Sequence, residues 1–337
     1  MAEPDVFIAG GGPAGLAAAI AARRKGMSVV VCDGNRPPVD KACGEGLMPD
    51  SRGAAARIGI HIPDSLGFEF HGIRFHGADR SVEAPFPNGR GIGVRRVALH
   101  QLLVETAKRA GVELRWGTPA PALEDIRARW IIGADGSASR VRRSAGLDAC
   151  LRNSRRFAFR QHYRIAPWTD YMEIHWGEGC QIYVTPVGPD DVCLALISRW
   201  PDLRVEEAVR RFPALQERLE GVDVTSRERG AITATMRLRT VTRGNIALIG
   251  DASGSVDAIT GEGMCLAFRQ AALLADAMDR GDLAHYARRH PRLALRPHLM
   301  ARTMLILDRG PKVRQWAFGA LSSAPWIFRG LLAVHVA

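Results

Sequence analysis

Short apolar runs, each closed by glycine or an acid, punctuate this chain and set its expected architecture. Asp5-Val6-Phe7-Ile8-Ala9 reads as a buried strand running into Gly10-Gly11-Gly12-Pro13-Ala14-Gly15. An Ala/Leu-rich stretch to Arg24 has helical character, and Val29-Val30-Val31-Cys32, closed by Asp33, reads as a second strand. Together they predict a βαβ unit of about thirty residues. After an irregular Pro- and Gly-rich segment (35–50), a short helix is expected around 51–58. Alternation of period two marks strands at 68–76 and 81–86. Leu99, Leu102, Leu103 and Ala107 fall at helical spacing and predict a helix over 97–110. Val112–Arg115 and Trp130–Gly133 resemble further parallel strands. From 157 to 197, strands joined by Gly/Pro/Asp turns predict an antiparallel sheet; 205–220 reads as helix, 230–238 as strand and 245–249 as a buried strand. Beyond Glu262 the pattern is helical, with Pro291, Pro297, Pro311 and Pro325 separating the helices.

The expected fold is α/β: a Rossmann-like dinucleotide-binding layer interleaved with an antiparallel-sheet substrate domain, followed by a helical C-terminus. Residues 1–66, 92–150 and 240–280 are assigned to the nucleotide-binding domain, 67–91 and 151–239 to the substrate domain, and 281–337 to the C-terminal helices. With 337 residues, 47% apolar and 24% charged, the composition is that of a globular protein and excludes disorder. Six scattered cysteines without a C-x-x-C pair argue against a zinc site or a disulfide framework, and no metal is expected. The start, Met1-Ala2-Glu3-Pro4-Asp5, has no basic n-region or apolar h-region, so a cytoplasmic location is expected. No apolar run reaches the roughly eighteen residues that a membrane span needs.

Charge is the one unusual bulk property. From Arg280 onward ten Lys/Arg face two acids, which leaves +8 of the total +11 in the last helices. Trp316, Phe318, Trp326 and Phe328 lie among Arg314 and Arg329, a basic and aromatic surface suited to anionic lipid or to capping an apolar pocket. No recognisable nucleic-acid module accompanies this charge, so nucleic acid is not expected as a partner.

Gly10-x-Gly12-x-x-Gly15 is the dinucleotide fingerprint. Gly10 permits the tight turn, Gly12 admits the pyrophosphate, and Gly15 lets helix and strand pack. The helix N-terminus at Pro13-Ala14 adds the positive end of its dipole. Asp33, eighteen residues after Gly15, is placed to accept both ribose hydroxyls, which speaks against the 2′-phosphate of NADP at this loop. Alone, the loop leaves NAD and FAD equally open. Two further strand ends carry acids: Asp135 in Gly133-Ala134-Asp135-Gly136, and Asp251 after Gly250. The latter continues through Gly261, Gly263 and Met264 into a helix. A carboxylate at a strand end can bind a ribityl hydroxyl, and a Gly-rich helix start can donate N–H groups to a flavin carbonyl edge.

These segments resemble the p-hydroxybenzoate hydroxylase-type flavoproteins over roughly residues 5–280, with details similar to their geranylgeranyl reductase-like branch. The resemblance implies that FAD is the cofactor. Its Arg-x-x-Leu helix start matches Arg96-Val97-Ala98-Leu99, which makes Arg96 a further FAD contact. Lys41-Ala42-Cys43-Gly44-Glu45-Gly46-Leu47 is similar to the Cys-Gly-Gly-Gly-Leu loop of prenyl reductases and implies contacts at Lys41, Ala42 and Cys43, but Glu45 stands where that loop has glycine. Tyr183 and Thr185 occupy the strand that carries paired tryptophans in flavin-dependent halogenases, which disfavours halogenation.

The resemblance implies NAD(P)H as a transient electron donor without a second fingerprint. Two chemistries follow from a reduced flavin: oxygen activation that hydroxylates a hydrophobic small molecule, and hydride delivery to an isolated prenyl double bond. Hydroxylation is the first expectation and reduction the alternative; a flavin-binding protein without turnover is a third reading. Cys43 and Glu45 are the candidate catalytic residues, since a thiol or carboxyl group on the substrate side of the flavin can donate a proton. His162, Tyr163, His175 and Tyr183 are candidate pocket residues.

Overall fold

The opening unit forms as its apolar pattern requires: β1 (Val6–Ala9), α1 (Pro13–Arg24) and β2 (Val29–Asp33). The computed structural model describes residues 3–308 and 310–336, so Met1, Ala2, Arg309 and Ala337, which the sequence-based division includes, lie outside the described residues. Next come β3 (Gly46–Leu47), α2 (Pro49–Arg57), β4 (Phe68–Phe70), β5 (Gly72–His76), β6 (Ser81–Pro85) and β7 (Gly91–Gly93). Helix α3 (Arg96–Arg109) leads to β8 (Glu113–Trp116), β9 (Trp130–Gly133) and the short α4 (Arg140–Ser144). The strands β10 (Cys150–Tyr163), β11 (Tyr171–Trp176), β12 (Cys180–Gly188) and β13 (Asp191–Ser198) precede α5 (Val205–Val209), α6 (Pro213–Leu219) and β14 (Arg229–Leu238). The chain closes with β15 (Thr242–Arg243), β16 (Ile246–Leu248), β17 (Gly254–Ser255) and the helices α7 (Gly263–Asp279), α8 (Leu283–Leu293), α9 (Leu295–Leu307), α10 (Pro311–Ser323) and α11 (Pro325–His335).

The first sheet has the order β15-β16-β9-β1-β2-β8 and is parallel except for β15. From β1 the chain moves outward through β2 to β8, then returns to place β9 on the other side of β1. The strand order therefore reverses at the β1/β9 crevice, where open α/β sheets bind their ligands. Helix α1 can lie close to this sheet because its buried face is built of Ala17, Ala18, Ala21 and Ala22 with Leu16 and Ile20. Gly15 permits that approach: a Cβ there would stand 1.9 Å from the carbonyl oxygen of Gly10.

The second sheet has the order β17-β14-β10-β13-β12-β11-β5-β6 and is antiparallel except where β11 meets β5. Alternation along its strands sends residues to two different cores. Ile73, Phe75, Met172, Ile174, Ala195 and Ile197 face the C-terminal helices. Ile182, Val184, Leu194 and Leu196 face α5 and α6. A three-stranded sheet, β3-β7-β4, completes the fold.

Two expected elements divide in the structure. The run 68–76 breaks at His71, whose N–H donates to the Asp170 carbonyl (2.7 Å) while its own carbonyl accepts from Phe86 N–H (2.8 Å). Period-two alternation cannot show that β4 and β5 then enter different sheets. The expected helix 205–220 breaks before Pro213, because Phe212 is pushed to extended geometry (φ −126°, ψ 87°) by the ring that follows it.

The C-terminal helices are tied to the second sheet by Asp308, which is buried just beyond α9. It pairs with Arg156 and Arg199 (2.7 Å each) and accepts from Gln181 Nε2 (2.5 Å). Among the described residues no single helix is long and apolar enough to cross a membrane.

Candidate active site

The fingerprint loop leaves β1 with Gly10 at φ +113°, where a Cβ would also meet the Ala134 carbonyl oxygen at 2.4 Å. Gly12, by contrast, has nothing within 4 Å of its Cβ position. It caps α1 without a side-chain hydrogen bond, so the helix start is open to an anion. Asp33 braces the loop: its carboxylate accepts Gly11 N–H (2.8 Å) and Asn35 N–H (2.8 Å). His100, fully buried in α3, reaches the Gly11 carbonyl (2.9 Å) through Nε2. Burial lowers its pKa, so the ring stays neutral and donates there.

The separate sequence segments meet in a continuous line. Gly10 abuts Ala134 at the end of β9, and Gly250 (φ +61°) abuts the Ala14 Cβ at 2.6 Å from its own Cβ position. Lys41 pairs with Asp251 (3.2 Å). Both side chains are about half exposed, so the pair aligns the loops and adds little stability. Arg96 opens α3 with its N–H on Glu45 Oε1 (2.8 Å), and its guanidinium rests near Met264 Sδ (3.8 Å). Asp135 caps α4 through one oxygen, accepting from Arg140 N–H (2.6 Å) and Val141 N–H (3.2 Å).

Two buried polar atoms along this line lack hydrogen-bond partners, Arg96 Nε and Asp135 Oδ1. Gly12, Gly44, Gly261 and Gly263 all face open space. A long ligand with phosphate, hydroxyl and carbonyl acceptors would satisfy these groups, and an FAD fits them.

At the far end of the line the loop Cys43–Leu47 stands over β12 and β13 of the second sheet. Thr185 Oγ1 donates to the Gly44 carbonyl (2.8 Å), and the Tyr183 hydroxyl donates to the Ile259 carbonyl (2.6 Å). Both halogenase-strand positions are thus used to fasten loops. Among the described residues Glu45 alone has a positive φ (+60°) without being glycine. A side chain in that region costs about 1–2 kcal/mol. The cost is met by interactions that hold the carboxylate, which is 1% exposed. Oε1 accepts from Arg96 N–H, Oε2 lies 2.7 Å from His162 Nε2, and Arg160 Nε stands 3.8 Å away. Burial raises the pKa of Cys43, Arg96 opposes that shift, and Glu45 adds to it.

An apolar cavity of about 390 Å³ opens from this loop. Met172, Ile174 and Ile197 form its floor, while Met304, Phe328 and Leu332 of the C-terminal helices form its roof. Its polar groups include Glu45, Arg160 and Tyr183 on the loop side and His335 of α11. Glu262, before α7, is buried near His335 (3.6 Å), and its Oε2 has no hydrogen-bond partner. Burial pushes its pKa up to about 8, assisted by nearby Asp50.

Of the candidate pocket residues, Tyr183 lines the cavity and His162 stands behind Glu45. Tyr163 and His175 do not reach it. Alternation turns them to the opposite sheet face, where Tyr163 packs with the α5–α6 core and His175 against Phe212. There, Glu173 gathers His76 (3.1 Å), His175 (3.3 Å), Trp168 Nε1 (3.0 Å) and Arg74 (3.4 Å). These donors surround the carboxylate on the face away from the cavity. Arg160, His100 and Glu262 carry no sequence signal of their own beyond residue type. Only the alternation that aligns Arg160 with His162 on β10 pointed toward one of them.

Residues 5–37 match the family model described as FAD dependent oxidoreductase. Menaquinone reductase from Mycolicibacterium smegmatis is 28% identical over 86% of this chain and 80% of its own length. Digeranylgeranylglycerophospholipid reductase from Methanothrix thermoacetophila is 27% identical over 82% of this chain and 79% of its own. The same fold is found in the flavin-dependent brominase Bmp2 (TM-score 0.85, 18% identity, 99% of this chain and 94% of that one). It is found also in PqsL of Pseudomonas aeruginosa, a probable FAD-dependent monooxygenase (TM-score 0.71, 23% identity, 94% and 100%). The fingerprint loop and the line of open and unpaired groups agree with these sequence relatives: the chain is an FAD-dependent oxidoreductase.

Proposed function

We propose that this protein reduces an isolated double bond in the polyprenyl chain of a lipid, with NAD(P)H as the electron donor. The observation that carries this reading is the apolar cavity whose flavin-side end holds a thiol and a buried carboxylate, Cys43 and Glu45. Bound FAD would supply the hydride; Gly10, Gly12, Pro13, Ala14, Gly15 and Asp33 would hold its adenosine diphosphate half. Lys41, Ala42, Arg96, Asp135, Gly250, Asp251, Gly261, Gly263 and Met264 would hold the remainder. The chain's own residues exclude water through the sheet floor and helical roof, and carry the proton at the Cys43 loop. The relatives named for menaquinone and for a digeranylgeranyl lipid fit this substrate class, because both molecules pair a polyprenyl chain with a polar head.

The outer face of the last helices would rest on an anionic membrane and admit the lipid chain. Trp316 and Trp326 are 76% and 73% exposed, with Leu299 also exposed and Lys312, Arg302 and Arg329 interspersed.

Hydroxylation is the second reading. It is favoured by similarity to a probable 2-heptyl-3-hydroxy-4(1H)-quinolone synthase of Rhodococcus erythropolis (27% identical over 82% of this chain). Anaerobic turnover separates the two. The FAD-loaded protein, reduced with dithionite, freed of excess reductant and given a short-chain menaquinone without oxygen, should reoxidise and yield a product that stays heavier by two hydrogens in its prenyl chain after the quinone head is reoxidised in air. Reoxidation only with oxygen, with one oxygen atom added to product, would overturn the reductase reading.

A further inference from the structure

Both Cys43 and Glu45 stand on the loop, and the hydrogen bonds around Glu45 distinguish their roles. His162 of β10 is 1% exposed and points its ring at Glu45, Nε2 lying 2.7 Å from Oε2. Its other nitrogen, Nδ1, meets Arg160 NH1 at 3.0 Å and Ser226 Oγ at 2.8 Å. A guanidinium can only donate, so Nδ1 must accept. Ser226 Oγ also receives the backbone N–H of His162 (3.1 Å), which leaves its own proton directed at Nδ1. The ring proton therefore sits on Nε2 and is donated to Glu45. Arg160 is held in place by an ion pair with Asp40, which Arg229 also reaches (3.2 Å). With Arg96 N–H on Oε1, both carboxylate oxygens of Glu45 accept, and neither needs a proton of its own.

We propose that Arg160, Ser226 and His162 form a tautomer lock that holds Glu45 as an ionised, immobile carboxylate, and that Cys43 is therefore the group of this loop that carries the transferable proton. This rests on the reductase reading for the use of that proton. There, with bound FAD as the source of hydride for one C–H bond of the former alkene, the Cys43 S–H bond would break to form the other, and a proton from bulk solvent would restore the thiol once the product leaves the cavity. Glu45 and His162 are positioning residues. The fixed negative charge of Glu45 discourages loss of the thiol proton, while Arg96 and Arg160 favour it. Cys193, whose thiol lies in the same cluster, is deeply buried, and burial raises it well above its ordinary range. The position is one at which the similar reductase loop has glycine, and the left-handed backbone of Glu45 is the conformation glycine would adopt.

The test reads Cys43 directly and needs no substrate. On the FAD-loaded, oxidised protein, iodoacetamide labelling of Cys43 is followed by peptide mass spectrometry across pH 6–10. Glu45→Gln and His162→Leu should each speed labelling at pH 7.5 by roughly five- to tenfold, since the thiolate fraction rises when the nearby negative charge is removed or, without its His162 donor, neutralised by a proton. His162→Gln, whose amide N–H can still donate to Glu45, should label at nearly the wild-type rate. Because His162→Leu can fail to fold, nitrogen-15 histidine NMR of the unmutated protein provides a second measurement, with His162 expected as the Nε2–H tautomer. Unchanged labelling in Glu45→Gln, or an Nδ1–H tautomer for His162, would overturn the lock. Failure of alkene reduction with the labelling pattern intact would instead overturn the reaction while leaving the lock in place.

Discussion

The two faces of the eight-stranded sheet each carry a buried carboxylate among histidines, and they are built for opposite ends. On the α5–α6 face, Glu173 is surrounded by Arg74, His76, His175 and Trp168. Burial pushes its pKa up, but the hydrogen bonds from His175 and His76 outweigh burial and hold it well below the usual carboxylate range. On the cavity face, Glu45 has its oxygens on one backbone N–H and one imidazole, sits on a left-handed residue, and borders an apolar cavity. The first arrangement stabilises the sheet; the second tolerates backbone strain to hold a buried carboxylate at the rim of the cavity. Glu262 is the third case. Lacking a donor on one oxygen, it is pushed by burial toward the protonated form. Hydrogen-bond donors, more than depth alone, decide whether a buried carboxylate stays charged.

The largest loss of stability should come from breaking the saturated cluster. Glu173→Ala leaves His76, His175 and Trp168 Nε1 without their buried acceptor, Arg74 keeping Glu83 (2.6 Å), and is expected to cost about 3 kcal/mol, seen as a clear fall in melting temperature. Glu45→Gly should fall within about 1 kcal/mol of wild type, because lost contacts are offset by relief of the left-handed strain. Comparable losses of stability in both variants would erase the distinction between the faces.

Glu262 sharpens the comparison through pH. Its folded pKa of about 8 exceeds the ordinary 4.5, so the folded state holds an extra proton between those values. Stability contributed by this group therefore falls as pH rises from about 4.5 to about 8, and the full cost is present above that. Glu262→Gln should be more stable than wild type at pH 9, by an amount on the order of 3–5 kcal/mol, with the gap closing toward pH 5. Parallel melting-temperature profiles for the two proteins would contradict the assignment.

The smallest stability change is expected at the outer helices. Trp316→Ser with Trp326→Ser removes exposed side chains and should leave melting within about 0.5 kcal/mol. The same pair should weaken cosedimentation with phosphatidylglycerol vesicles severalfold. Equal binding by the double variant would remove these helices from the membrane proposal.

The nucleotide end of the site was legible because its requirements are local. A turn at Gly10, a close approach at Gly15 and a helix start without a side chain at Gly12 each restrict residue type at a set spacing. Period two also marked β10–β13 as strands, yet it did not say which face would meet the cavity. Tyr163 and His175 were placed by residue type alone and turned away from it. His100 was invisible for the same reason: a helical histidine gains its role only because α3 passes beneath Gly11.

By itself, then, the sequence determined the βαβ unit, the dinucleotide loop and the order of strands and helices, since backbone sterics and apolar periodicity act over a few residues. Tertiary structure alone decided that Glu45, Arg160, His162 and Ser226 would meet, because 181 positions separate the first from the last and only strand pairing across the second sheet closes that distance. It also set the opposite protonation tendencies of Glu173 and Glu262, for these depend on donors brought in from other elements and on the water they exclude.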